Sequence, residues 1–589
     1  MEKNFRYVTG SLLLFSLYII FSCSEEFLIK EPPGVAAGSV ITSPDGVEAV
    51  LIGTYAAMRG KSMFGGAMGT DWTYGSITSD DCYKGASAGD AFNLIERYEV
   101  GVTDPYLRDR WVDCYEGVAR ANSVLEVLAA NQTGNNPIPD PRASQIEAEA
   151  KFLRAWFHFQ ANKIFEKIPY IKTPSELAPL LPEKVPNSDP GWNQIEEDLQ
   201  FAIENLPVVR PLGEVGRIYK YAAEALKAHT HMYQKEFSKA KVLLDDIINN
   251  GGFSLVDNFY DNYDMTHENN RESIFEIQAS TTSTTQSSLL ISGAVFHQKG
   301  PASCGGWGFF QPSQCLFEAF QVTPDGLPVL NIEDREPLAN DMGISSSKAF
   351  IPTDHLMDLR VDWTIARRGV DFLGWGIHPG NDWIREQDNG GPYMTKKYMH
   401  KKSEQSLNYY GTGFQNGKNY RIYRLANILL WRAEVAVEDG DLELARNLVN
   451  QIRNRAKNSN PVMGLCASYS NLGINPVVDW SKPAANYKVE PYPAGHPAFS
   501  SKSEARKAVR METRLEFATE GHRFFDLRRW DIDNEVLNDY IQRDSKFRFF
   551  LRGAVYNPEK DDYWPLPKDQ VILQKGILTQ DSAYINYKY

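Results

Sequence analysis

Cysteine is scarce in this sequence, and so are the motifs that hold metals and cofactors. Only 6 of the 589 residues are cysteine, and their spacings match no zinc or redox pattern. The chain has no His-Glu-x-x-His motif, and the acidic runs at 257–264 and 531–535 lack the glycine that a calcium-binding loop needs at its sixth position. The stretch 413–418 lacks the glycine spacing of a phosphate-binding loop. We therefore expect neither a metal nor a cofactor.

Positive charge is also in short supply. The chain has 62 lysines and arginines against 75 aspartates and glutamates, which gives a formal net charge of -13. A protein that binds nucleic acid needs a basic face to neutralise the phosphates. The charge balance therefore argues against a nucleic-acid partner and fits a neutral ligand better.

The apolar run near the amino end, Leu12–Phe21, is too short to span a bilayer. It follows Lys3 and Arg6, and its length is that of the apolar core of a signal peptide. We therefore predict that the protein is exported.

The signal ends in a lipobox-like pattern. In Ile20-Phe21-Ser22-Cys23 a small residue precedes the cysteine and an aliphatic residue lies three positions before it. We predict a signal peptide at 1–22, followed at 23–42 by a lipidated Cys23 and a linker. Several acyl chains on one cysteine give stable anchoring to a membrane. The alternative is an ordinary secretory signal with an incidental cysteine.

Five cysteines remain once Cys23 carries lipid. They are Cys82, Cys114, Cys304, Cys315 and Cys466. Structural or free thiols are the default expectation for this odd number, although Cys304 and Cys315 could pair across one loop.

Residues suited to catalysis occur, but not in catalytic patterns. The stretch 85–89 matches Gly-x-Ser-x-Gly, yet its charged flanks do not fit the strand and helix that a nucleophile elbow requires. The charged cluster at 510–530 has charged residues three and four apart, such as Glu516 and Glu520 or Asp526 and Arg529, and we expect opposite charges at this spacing to form ion pairs on a helix. We predict no catalytic residues and no enzymatic activity.

Helical periodicity dominates the first half of the chain and returns after residue 420. Apolar residues follow helical spacing at 108–128, 147–165, 192–206, 218–233 and 238–249, and Ser43 with Pro44 forms a helix start. The segment 225–247 aligns with 430–452, and each copy has an alanine early in its second helix, Ala240 or Ala445, that permits close helix packing. This pattern is typical of tetratricopeptide-like helix pairs.

The two copies are separated by a long segment that is poor in helical periodicity. We predict a mostly α-helical protein with an amino-terminal helical region at 43–252, a loop-rich insertion at 253–419, and a carboxyl-terminal region at 420–589 with the last helix pair and a charged helix. The first long loop, 60–103, is rich in glycine, serine, aspartate and aromatic residues. Long loops inside a compact protein are usually functional or disordered, and the aromatic rings argue against disorder.

Aromatic residues make up 12% of the chain, and many lie in the glycine-rich loops. An exposed indole presents a flat apolar face that matches the C–H patches of a sugar, at about 0.5–1.5 kcal/mol per ring contact. The candidate stacking residues are Trp72, Tyr83, Trp307, Trp375 and Trp383, and the candidate hydrogen-bond partners of sugar hydroxyls are Asp80 and Asp81. Each ring could instead be core, and the two aspartates could instead cap a helix or fold the loop.

Six segments, in their order and spacing, resemble the SusD/RagB-like nutrient-binding lipoproteins of the Bacteroidetes outer membrane. They are Cys23-Ser24-Glu25-Glu26-Phe27-Leu28, residues 149–155, Gly251-Gly252-Phe253-Ser254-Leu255, residues 424–434, residues 514–530 and Trp564-Pro565-Leu566-Pro567. The resemblance extends over essentially the whole mature chain.

This resemblance implies a helical body of about four tetratricopeptide-like units and a loop-rich remainder that holds the ligand. It also implies an outer-membrane protein, lipid-anchored and facing the cell exterior, that catches an oligosaccharide or polysaccharide and passes it uncleaved into a SusC-like TonB-dependent transporter. The transporter partner rests on the resemblance alone. The alternative function is a surface scaffold that binds protein or peptide ligands through its helical repeats.

Overall fold

The computed structural model describes residues 38–60, 70–89, 92–210, 213–279, 290–291, 307–407 and 415–585. Helices dominate these residues, so the prediction of a mostly α fold is confirmed. The longer helices are α1 Pro44–Ala57, α2 Pro105–Gln132, α3 Arg142–Phe165, α4 Trp192–Asn205, α5 Lys220–Tyr233, α6 Phe237–Asn250, α7 Leu425–Asp439, α8 Leu442–Asn458, α9 Lys502–Phe517, α10 Arg523–Arg529 and α11 Asp533–Asp544. Short helices are Gly38–Ile41, Phe92–Glu96, Pro174–Leu177, Gln314–Ala319, Val361–Thr364, Gln387–Gly390, Pro558–Asp561, Lys568–Leu573 and Ser582–Ile585.

Polar side chains and glycine set where the long helices begin and end. Ser43 accepts a hydrogen bond from the Gly46 amide at the start of α1, with Pro44 in the first helical position. Gly440, in the left-handed conformation at φ 88°, ends α7, and Asp441 caps α8 directly after it. The local sequence thus encodes the tight turn between the paired helices.

Helices that follow one another in the chain pack against one another. The array runs from α1 through α8, and α9 lies against both α7 and α8. Helices α6 and α7 are neighbours although residues 251–424 lie between them. The two predicted repeat copies are the pairs α5–α6 and α7–α8, and the small residues Ala240 and Ala445 are fully buried between their helices. The helical scaffold is therefore continuous in space and interrupted only in sequence.

Two of the short antiparallel strand pairs join the insertion to the rest of the chain. The strands are β1 Cys82–Gly85, β2 Ser273–Ile277, β3 Leu290–Ile291, β4 Phe309–Pro312, β5 Ile365–Ala366, β6 Met394–Thr395, β7 Gln415–Asn416, β8 Tyr420–Arg424, β9 Met463–Cys466 and β10 Val478–Pro483. Strand β2 pairs with β8, which leads into α7, and β1 of the first long loop pairs with β4 of the insertion. The first loop and the insertion therefore form one structural unit.

A buried charge network fastens this unit to α9. Glu516 contacts the guanidinium groups of Arg360, Arg424 and Arg455, and all four side chains are almost completely buried. Glu512, one turn earlier, pairs with Arg360 at 2.8 Å and with Arg453 at 2.9 Å. Because these arginines come from the insertion, β8 and α8, α9 holds three parts of the chain together.

The network differs in part from the sequence prediction. Arg529 does pair with Asp526 within α10, at 2.8 Å. Glu516 and Glu520, however, find their partners far away in the sequence, and Glu520 contacts Lys397 at 2.8 Å. Helical spacing cannot reveal such partners, because they come from other elements.

The described cysteines, Cys82, Cys114, Cys315 and Cys466, are buried free thiols. Cys23 and Cys304 lie outside the described residues, as do the predicted signal peptide and most of the linker. Among the helices that the structure describes, none combines the length and apolar character needed to cross a membrane.

Glu516→Gln is expected to destabilise the fold strongly. The substitution keeps the side-chain shape but leaves buried guanidinium groups without their counter-charge, which costs about 3–5 kcal/mol. The free energy of unfolding, measured by urea denaturation of a soluble form that lacks residues 1–23, checks this.

Glu490→Gln is the matched control, because Glu490 pairs with Lys457 at the surface with both side chains about two-fifths exposed. Its effect is expected to stay within about 0.5 kcal/mol. Equal losses for the two variants would contradict the structural role of the network.

Candidate functional site

A tight hairpin of the insertion, residues 369–378, carries one of the predicted stacking residues at its tip. Backbone hydrogen bonds close it, from the Gly369 amide to the His378 carbonyl at 2.9 Å and from the Phe372 amide to the Gly376 carbonyl at 2.8 Å. Gly374 and Gly376 have φ values of 78° and 133°, which side-chain-bearing residues rarely adopt. Trp375 lies between these glycines and is half-buried.

Trp375 and Trp383 both lie along this hairpin. The Trp375 Nε1–H donates to the His400 carbonyl at 3.1 Å, so the polar edge of the indole is satisfied inside the protein. Trp383 ends a short helical turn, Asn381–Trp383, and contacts the rings of Phe372 and His378 at centroid distances of 6.1 and 5.4 Å. A Cβ at Gly376 would lie 3.8 Å from the Trp383 ring, so the two indoles occupy neighbouring positions.

The histidines beside these indoles are neutral. Burial, with Lys396 and Arg368 nearby, lowers the pKa of His378 to about 3. Burial and the nearby Lys418 lower the pKa of His400 to about 4. At neutral pH both imidazoles are therefore uncharged, and they form an apolar support that suits an uncharged ligand.

The turn at residues 85–89 contacts the chain next to Trp307 on one side and the segment after Trp383 on the other. The amide of Ala86 donates to the carbonyl of Gly308 at 2.6 Å, next to Trp307. On the other side of this turn, Arg385 Nε donates to Ser87 Oγ at 3.1 Å and the Asn389 side chain donates to the Gly85 carbonyl at 2.8 Å. The structure thus brings the half-buried Trp307, Trp375 and Trp383 to one group of loops.

Two other predicted stacking residues are core residues, which corrects the prediction. Trp72 lies in a π-helical turn, Trp72–Ser76, is 1% exposed, and packs against Phe92, Phe309 and Phe310 at centroid distances of 5.6–5.8 Å. Tyr83 is also 1% exposed; its hydroxyl donates to the Asp544 carboxylate, and the Arg548 guanidinium covers its ring. Neither ring face is available to a ligand, because other side chains already cover it.

Asp80 and Asp81 form buried ion pairs and do not face a ligand. Their role is therefore the alternative one, to fold the loop. Arg514 contacts both carboxylates at 2.8 Å, and Arg523 contacts Asp80 at 2.8 Å. Burial raises the pKa of Asp80, but the two guanidinium groups outweigh it and hold the pKa below its ordinary value. For Asp81, burial and the adjacent Asp80 outweigh Arg514, so its pKa is raised. These pairs fasten the first long loop to α9 and α10.

The polar groups beside the indoles were missed by the sequence analysis. Asp382, Arg385 and Glu386 are exposed next to Trp383. Carboxylates and guanidinium groups are effective hydrogen-bond partners of hydroxyls. The charged residues on both sides of Trp383 in 381–386 were the signal available in the sequence.

A small, partly open cavity lies between α3, α5, β8 and α10. Its volume is about 70 Å³, and its lining includes Lys163, His229, Tyr263, Lys397, His522 and Asp526. Ligand pockets usually measure about 300–1,000 Å³. This cavity holds a few water molecules at most and is too small to be a ligand pocket of the usual size.

Two family models match the chain. One, described as the SusD family, matches residues 271–584. The other, described as starch-binding associating with outer membrane, matches residues 26–232. Together the matches extend over both the helical scaffold and the loops.

Individual relatives resemble the chain over nearly its full length. SusD-like protein P25 of Formosa agariphila is 24% identical over 97% of this chain and 98% of its own. The solved structure of a SusD-like carbohydrate binding protein from Bacteroides fragilis has a TM-score of 0.67 at 21% identity, covering 91% of this chain and 99% of that one. Surface glycan-binding protein A from Bacteroides thetaiotaomicron, solved in complex with laminarihexaose, has a TM-score of 0.64 at 19% identity, with coverages of 91% and 99%.

Trp72→Ala is expected to act on stability and not on a binding surface. Removing a fully buried indole costs about 3–5 kcal/mol, because it leaves a cavity among Phe92, Phe309 and Phe310. Trp383→Ala, at a half-buried position, is expected to cost less than about 2 kcal/mol. Urea denaturation of the two variants side by side checks this, and a reversed order would contradict the assignment of Trp72 to the core.

Proposed function

The chain belongs to the SusD family, and on that premise we propose that it is a surface glycan-binding protein of the outer membrane. In this proposal it captures an oligosaccharide or polysaccharide outside the cell without cleaving it. It then delivers the glycan to a SusC-like TonB-dependent transporter.

The single observation that carries the proposal is the pair of indoles along the hairpin 369–378. Trp375 and Trp383 are half-buried, rest on neutral imidazoles and lie beside exposed hydrogen-bonding groups such as Asp382 and Arg385. A sugar presents C–H patches on its faces and hydroxyls at its rim, so flat apolar rings flanked by polar side chains complement it. Trp307, across the 85–89 turn, adds a third ring.

The relatives indicate which glycans to test first. One structural neighbour was solved with laminarihexaose, another is described as a laminarin binding SusD-like protein, and one matching family model is described as starch-binding. Glucans therefore head the list of ligands, and other polysaccharides serve to define specificity.

The proposed location rests on the amino end of the sequence. Cys23 follows a lipobox-like pattern, and the acidic Ser24-Glu25-Glu26-Phe27 that follows resembles the signal for export to the outer face. A lipidated Cys23 with a linker of some twenty residues would leave the folded body outside the membrane.

Wild-type protein lacking residues 1–23 is expected to be retarded in native gels that contain one glycan of a panel: laminarin, soluble starch, xylan, mannan and mucin O-glycans. Trp375→Ala and Trp383→Ala should each weaken binding about 2- to 12-fold, since one ring contact is worth about 0.5–1.5 kcal/mol. Calorimetry gives the affinities, and a reducing-sugar assay should detect no product.

Trp192→Ala is the matched control, because it removes a half-buried indole from the distant helix α4. Its binding should equal that of the wild type. The proposal fails where no glycan of the panel binds, or where Trp375 and Trp383 can be removed without effect; capture of peptides through the helices would then be the better hypothesis.

Delivery to a transporter predicts a stable or transient complex at the outer membrane. The full-length tagged chain, extracted in mild detergent from its native host, should co-purify with a TonB-dependent barrel. Cys23→Ala should abolish membrane attachment, because no acyl chain can be added. Recovery of the wild-type chain alone, after cross-linking as well, would contradict the proposed partnership.

A further inference from the structure

The hairpin formed by β9 and β10 carries the most exposed tryptophan of the protein. All twelve tryptophans lie within the described residues, and eleven are buried or half-buried. Trp480, on β10, is 57% exposed. Val477 and Ile474, in the connection between β9 and β10, are 63% and 86% exposed, so this hairpin exposes several apolar residues. Clustered exposed apolar side chains often mark a binding surface.

The Trp480 indole rests on the backbone of Gly464. A Cβ at Gly464 would lie 2.9 Å from Cζ3 and 3.0 Å from Cε3 of the indole, closer than a real side chain could come. Gly464 also has a φ of 110°, which a side-chain-bearing residue rarely adopts. The missing side chain thus lets the indole approach the neighbouring strand while most of its surface remains open to solvent.

Exposed hydrogen-bonding residues adjoin Trp480 along the chain. Asp479, Ser481 and Lys482 flank Trp480 and are exposed. The Ser481 hydroxyl donates to Asp479 at 2.6 Å, and the Lys482 ammonium lies 3.4 Å from the same carboxylate. A flat apolar ring with polar groups at its edge is the same chemistry as at Trp375 and Trp383.

The β9–β10 hairpin is packed directly on the hairpin 369–378. Ile377 belongs to one apolar cluster with Cys466, Leu472 and Val478. The Cys466 thiol donates to the Gly369 carbonyl at 3.1 Å. Since Ile377 is two residues from Trp375 and Val478 is two residues from Trp480, the two aromatic surfaces are carried by adjoining elements.

We propose that Trp480 is an additional stacking platform that extends the glycan site from the hairpin 369–378 onto the β9–β10 hairpin. This inference rests on the proposed function. The ligand that fits best is then a polysaccharide chain long enough to contact both hairpins, and a short oligosaccharide occupies only the first.

The test compares long and short ligands of one linkage. Each panel polysaccharide that retards the wild type is measured by calorimetry alongside its trisaccharide, for example laminarin with laminaritriose or starch with maltotriose. Trp480→Ala is expected to weaken binding of the polysaccharide about 2- to 12-fold and to leave binding of the trisaccharide unchanged. Trp480→Tyr, which keeps a ring, is expected to retain most of the affinity.

Val242→Ala is the matched control, because it removes an exposed apolar side chain from helix α6, outside both hairpins. It should bind both ligands like the wild type. Thermal unfolding of all variants reports whether they fold, and Trp480→Tyr carries the comparison where Trp480→Ala does not.

Each result separates the inference from the function on which it rests. Unchanged polysaccharide binding by Trp480→Ala, together with weakened binding by Trp383→Ala, would overturn the inference and leave the proposed function standing. Equal losses for polysaccharide and trisaccharide would also overturn it, since Trp480 would then belong to a single compact site. A wild-type protein that binds no glycan of the panel would overturn both.

Discussion

The arrangement of the loops depends on one buried carboxylate, that of Glu516. Burial alone would raise its pKa, but Arg455, Arg424 and Arg360 outweigh burial and keep the pKa well below the ordinary value, so the group is ionised. A charge inside a protein is stable only with partners at close range. Any other docking of the insertion or of β8 on α9 would leave these charges buried and unpaired. The network therefore selects one position for the loops on the helical scaffold.

The same physical principle connects the scaffold to the candidate site. Arg514, two residues before Glu516 on α9, holds Asp80 and Asp81 at the start of β1. Strand β1 pairs with β4, and the turn after β1 contacts both the start of β4 near Trp307 and the segment around Arg385. The buried ion pairs thus fix the strand pair β1–β4, and this strand pair fixes the loops that carry the indoles. This explains how loops with little regular structure can present rings at defined positions.

The local features of this fold were predictable, and the long-range ones were not. Helix periodicity, the Ser43 cap and the paired Ala240 and Ala445 are encoded within a few residues, and the structure confirms them. Trp72 was misassigned because its loop is rich in glycine, serine and aspartate, whereas the rings that bury it, Phe309 and Phe310, come more than two hundred residues later. Trp480 was overlooked because it lies outside the glycine-rich loops; its polar neighbours were the available sign of exposure. Sequence patterns report spacing along the chain, and burial depends on contacts across it.

The way the rings are held bears on how tightly a glycan can bind. The Trp375 Nε1–H is already bonded to His400, and the glycine turns and strand pairs restrict the hairpins before any ligand arrives, so little ordering entropy is lost on binding. Each ring of the proposed site would nevertheless contribute only about 0.5–1.5 kcal/mol, so its four rings would supply roughly 2–6 kcal/mol in total. Such a surface holds a long chain through many weak contacts and releases a short one readily. Under the proposed function, in which the ligand passes to a transporter, this balance is an advantage, because each contact can be given up separately as the chain is drawn away.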